Sequence, residues 1–111
     1  MTRIFLALAL WFGPVLAQRQ PTDPMREVRH REGLVATRAI GYFRSMDSIK
    51  ENLEAMGMTL NPELVSLRMG IEDALDATDA AIDKKDAKAA NESLDRAEAL
   101  VGRLAKKLGG G

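Results

Sequence analysis

The chain has 111 residues, 46% hydrophobic and 29% charged, with 16 Lys and Arg against 16 Asp and Glu and no cysteine. That length allows one domain, and the charge balance argues against a strongly basic nucleic-acid binder or an acidic disordered chain. Without cysteine there is no disulfide framework, thiolate zinc site or lipid-modified cysteine.

Met1 to Arg3 gives a positive start, Ile4 to Phe12 an apolar run, Gly13-Pro14 a break, and Val15-Leu16-Ala17 an end with aliphatic or small residues at −3 and −1. These are the three regions of a secretory signal peptide, with cleavage expected after Ala17. A spanning helix needs about 20 apolar residues, more than this run supplies. The expectation is export to a periplasm or the extracellular space, with no stable membrane insertion once the leader is cleaved.

Residues 18–33 read as a flexible polar arm or a frayed helix extension. Gln18 to Pro24 holds two prolines, and Met25 to Glu32 is charged on all sides. Asp23-Pro24 offers an N-cap and a first helical residue. Arg26, Arg29, His30 and Arg31 form a basic cluster suited to contact with an anionic surface, although three arginines diluted by Glu27 and Glu32 are few for stable membrane binding. Nucleic acid is not an expected partner, because no aromatic platform is interleaved with the basic residues.

From Leu34 the pattern turns periodic. Val35, Ala39, Tyr42, Met46, Ile49, Leu53 and Met56 are spaced alternately by four and three residues, the signature of a packed helix face. Leu34, Ile40 and Phe43 are expected to widen that face. Gly41 is read as a place where another helix comes close, and Gly57 as the stop. Asn61-Pro62-Glu63 then starts a second helix, with Leu60 and Val65 in the two staple positions. Its seam is Leu64, Leu67, Ile71, Ala74, Thr78 and Ala81. Asp86 caps a third helix with the seam Ala87, Ala90, Leu94, Ala97, Val101, Leu104 and Leu108.

The predicted segments 34–56, 62–84 and 86–108 are of equal length, about 35 Å each at the helical rise. Short connections make neighbours antiparallel. The expected fold is all-α, a small antiparallel up-down-up three-helix bundle preceded by a cleaved signal peptide and the polar arm. From Ile71 to Leu104, the paced alanines and the Lys84-Lys85-Asp86-Ala87 turn resemble one hairpin of a helical repeat of the tetratricopeptide type. That likeness implies a helical hairpin and no more, since no 34-residue self-similarity recurs.

The most distinctive chemistry is an acidic row on the second helix. Glu72, Asp76, Asp79 and Asp83 share one face, with Asp73 beside them. Like charges at this spacing repel, so nearby cations are expected, from Lys84, Lys85 and Lys88 or from Arg38 and Arg44. Val65 and Met69 precede the row on the same face and with it make a candidate contact patch.

Catalysis is not expected. His30 is the only histidine, and no glycine-flanked nucleophile turn surrounds Ser45, Ser48, Ser66 or Ser93. No metalloprotease, phosphate-loop or dinucleotide motif occurs, so no catalytic residue, metal site or cofactor is assigned. Met46 and Met56 belong to the core stripe, the ordinary place for methionine. The reading is a non-catalytic interaction module acting through helix faces, its partner another protein or a second copy. The alternative is a weak cation or small-ligand binder using the acidic face.

Overall fold

The computed structural model describes residues 23–109; the expected signal peptide and residues 18–22 of the expected arm lie outside them. Among the described residues there are three helices and no strand: α1 (Pro24–Ala55), α2 (Pro62–Asp83) and α3 (Ala87–Gly109). The fold is an all-α three-helix bundle.

Each boundary has a local cause. The Asp23 side chain accepts a hydrogen bond from the Met25 amide at 3.0 Å, and Pro24 occupies the first turn, where its missing N–H is harmless. Asn61 does the same for α2 through the Glu63 amide at 2.9 Å, and Asp86 for α3 through the Ala89 amide at 3.0 Å. Helices α1 and α2 end in the same way. The Met58 amide bonds the Leu53 carbonyl and the Gly57 amide bonds that of Glu54; at the end of α2, Asp86 bonds Ala81 and Lys85 bonds Ile82. This Schellman closure needs a left-handed residue. Gly57 supplies it at φ 76°, but at the second turn a lysine does, Lys85 at φ 58°.

Helix α1 corrects the predicted boundaries. It starts at Pro24, ten residues before Leu34, with Asp23 as the N-cap that the sequence offered, so of the two readings of residues 18–33 the helix extension holds for residues 24–33 and the flexible arm does not. Val28 explains why: it extends the row Val35, Tyr42, Ile49 back by one heptad and is 1% exposed. Two residues expected to widen the core face do not. Leu34 is 61% exposed and Ile40 49%, because α1 buries only a narrow strip. Met56, expected to close the stripe, is the exposed C-cap. A Cβ added at Gly41 would meet nothing within 4 Å, so no helix approaches there.

The core is built from Val28, Val35, Ala39 and Met46 of α1, Leu67, Ile71, Ala74 and Ala81 of α2, and Ala90, Leu94, Ala97, Val101 and Leu104 of α3. Helices α2 and α3 pack most extensively, and α1 leans more on α3 than on α2. Alanines on both sides of the α2–α3 seam leave room for this, and at Gly70 the Leu100 side chain comes so close that an added Cβ would stand 3.1 Å from it. The buried Thr78 hydroxyl donates to the Ala74 carbonyl at 2.9 Å, so it enters the core without an unpaired polar atom.

Candidate functional site

The two charged groups singled out in the sequence come to the same end of the bundle. Helices α1 and α2 are antiparallel, so the start of α1, with Arg26, Arg29, His30 and Arg31, lies beside the end of α2, with Asp76, Asp79 and Asp83. Arg26, Arg29 and His30 are exposed. Arg31 is not a free contact residue. Its guanidinium reaches across to α3, donating to Asn91 Oδ1 at 3.0 Å and Asp95 Oδ1 at 2.5 Å and also to Glu98. A planar fork with five donors suits three acceptors in this way. These bonds hold the guanidinium in its charged form, with the pKa pushed up chiefly by Glu98 and then by Asp95.

The expected cations do not neutralise the acidic row. Glu72 is the member with an ion pair, to Arg68 at 3.9 Å, and Arg68 also bonds Asp47 of α1 at 2.9 Å. The same guanidinium lies 4.6 Å from the centre of the Phe43 ring, an arrangement in which the aromatic face stabilises the cation. Arg38 instead lies over Tyr42 at 5.9 Å. Among the described residues no Lys or Arg pairs with Asp76, Asp79 or Asp83 within 4.0 Å; Lys107 pairs with Glu63 at the other end of α2.

Asp79 faces another acid. Glu32 of α1 lies against it, and the carboxyl is pushed up from 4.5 to about 7 by burial, then by the hydrogen bond with Asp79 and that residue's charge. Sequence reading missed Glu32, although a signal was present. Glu32, Ala39, Met46 and Leu53 form a strict seven-residue row, so extending the core pattern back one heptad puts Glu32 at the edge of the core.

Val65 and Met69 stand out from α2 at 41% and 58% exposure. Val65 borders a small cleft between α1 and α2, with a volume of about 170 Å³, lined also by Met46, Asp47, Lys50, Leu60 and Arg68. Leu60 and Val65, expected as a hydrophobic staple, both line this cleft. Among the described residues no three or more His, Asp or Glu side chains converge as a metal site, and no helix is long and apolar enough to cross a membrane. Comparison of the chain with known protein families, curated proteins and solved structures returns no match.

Proposed function

We propose that this is an exported, non-catalytic interaction module that recognises a protein partner through its helix faces. Export rests on the leader pattern at residues 1–17. The observation that carries the recognition is on α2. Val65 and Met69 are exposed one turn apart, and the same face continues into Asp76, Asp79 and Asp83, which have no cation within ion-pair distance among the described residues. Single exposed apolar residues are ordinary on protein surfaces. A row of unneutralised carboxylates repels itself, and a basic, partly apolar surface relieves that repulsion while covering the apolar pair.

Affinity capture from the native envelope fraction tests the reading. The wild-type chain is expected to retain a partner that Asp76→Asn/Asp79→Asn and Val65→Ser/Met69→Ser lose, with circular dichroism showing both variants folded. Equal retention by all three would mean that the α2 face does not contact the partner. Weak cation binding is the alternative, favoured by Glu32 joining Asp79. A calcium titration whose binding heat disappears in Asp79→Asn would favour it over the protein partner.

A further inference from the structure

An exposed face of α1 carries a second pattern; one member, Asp47, already bonds Arg68 of α2 at 2.9 Å, and the four charges that the pairing uses lie outside that ion pair. Arg26, Gly33, Ile40, Asp47 and Glu54 follow one another at intervals of seven residues, flanked by Arg29 and Glu51, and all seven are exposed. The pattern is symmetric about Ile40. Arg26 and Glu54 are fourteen residues to either side of it, and Arg29 and Glu51 eleven to either side, with the charge reversed across the centre. We infer that α1 pairs antiparallel with α1 of a second copy, on a two-fold axis through Ile40, deepening the interaction-module reading on which it rests.

The axis sets Arg26 against the partner's Glu54 and Arg29 against the partner's Glu51, each pair made twice. A parallel arrangement sets arginine on arginine and acid on acid, so the charges select the antiparallel one, as the helix dipoles also do. Among the described residues none of these four side chains has an ion-pair partner of its own. Arg44 falls opposite the partner's Ala36, where it meets no like charge. The centre suits a close approach. Ile40 is 49% exposed, and the space beside Gly33 is open to 4 Å. A seven-residue row drifts by about 20° per heptad on a straight helix, so two such rows meet along their length by a gentle left-handed wrap. A partner bearing one sign of charge matches only half of this face; a second copy matches both halves.

Sedimentation equilibrium on the protein expressed from its full sequence, in the N-terminal form the cell leaves, tests the inference. At low salt a dimer is expected that weakens as salt rises. Arg26→Glu/Arg29→Glu and Glu51→Arg/Glu54→Arg should each self-associate at least about tenfold more weakly, and an equimolar mixture of the two should associate again. Because the chain has no cysteine, Ile40→Cys should give a disulfide-linked dimer on mild oxidation, whereas Asp73→Cys should not. A wild-type monomer at low salt, or charge-reversed variants that dimerise like the wild type, overturns the inference. If the chain is a monomer and still captures an envelope protein through α2, the two-fold pairing fails and the module reading stands. If it does neither, both fail.

Discussion

Replacing Glu32 by glutamine should make the protein more stable, by a margin that opens as pH rises above about 4.5 and is complete above about 7. The Glu32 carboxyl sits half-buried against Asp79, which raises it from 4.5 to about 7. Between those values the folded protein holds a proton that the unfolded chain has released. Stability therefore falls as pH rises through the window, and the loss is complete above about pH 7. A displacement of that size is worth roughly 3 kcal/mol undiluted, and solvent screening at a half-exposed site reduces it to about 1–2 kcal/mol. Glu32→Gln removes the charge and keeps a donor for Asp79. Urea unfolding of both proteins at about pH 5 and about pH 8 measures the effect. The expected result is near-equal stability at the lower pH and a variant more stable by about 1–2 kcal/mol at the higher. A gap that does not change with pH, or that favours the wild type at the higher value, refutes the reasoning.

Other perturbations test the fold. Arg31→Ala should cost about 1–2 kcal/mol through its bonds to Asn91, Asp95 and Glu98, with Arg31→Lys recovering only part of the loss; chemical denaturation reads both. Leu94→Ala, at a fully buried position, should cost about 2–5 kcal/mol, visible as a fall in Tm. Among the turn residues, Gly57→Ala should destabilise by about 1 kcal/mol and Lys85→Gly should stabilise by up to about that amount, because both positions hold positive φ. Gly41→Ala, in open space on α1, should stabilise by about 0.5–1 kcal/mol.

The bundle was legible because its strongest signals are local. Asn61-Pro62 and Asp86 announce helix starts through the chemistry of the first turn, and the alternating three-and-four spacing of Leu94, Ala97, Val101 and Leu104 marks a buried face. Asp23-Pro24 marked the start of α1, but the composition of the stretch that follows left helix and arm undecided. Around Val28 the side chains are charged on all sides, and a single buried valine does not produce a visible stripe. Leu34 and Ile40 failed in the opposite sense. Hydrophobicity alone does not say which side of a helix meets the core, and α1, which leans mainly on α3, buries a narrower strip than its apolar content suggests. The left-handed Lys85 gave no warning either, since lysine carries none of the turn preference of glycine.

The candidate surface divides in the same way. The acidic row of α2 was readable from spacing, and the structure leaves Asp76, Asp79 and Asp83 on one exposed face. What surrounds them depended on tertiary packing. Arg31 leaves the basic cluster for α3, Arg68 serves Asp47 and Glu72 together, and Glu32 arrives beside Asp79. No rule of helical spacing within one segment connects residues 32 and 79. Only the antiparallel register does.

The central claim is that a closed bundle works through its exposed helix faces. The most direct measurement is an amide-resolved NMR dilution series, repeated with the captured partner added. The expected result is that shifts change along Arg26, Arg29, Ile40, Glu51 and Glu54 with concentration, and along Val65, Met69, Asp76 and Asp79 with the partner, while Ile71, Leu94 and Leu104 stay fixed. Shifts concentrated at those buried positions would contradict the claim, because they would mean that the bundle opens to do its work.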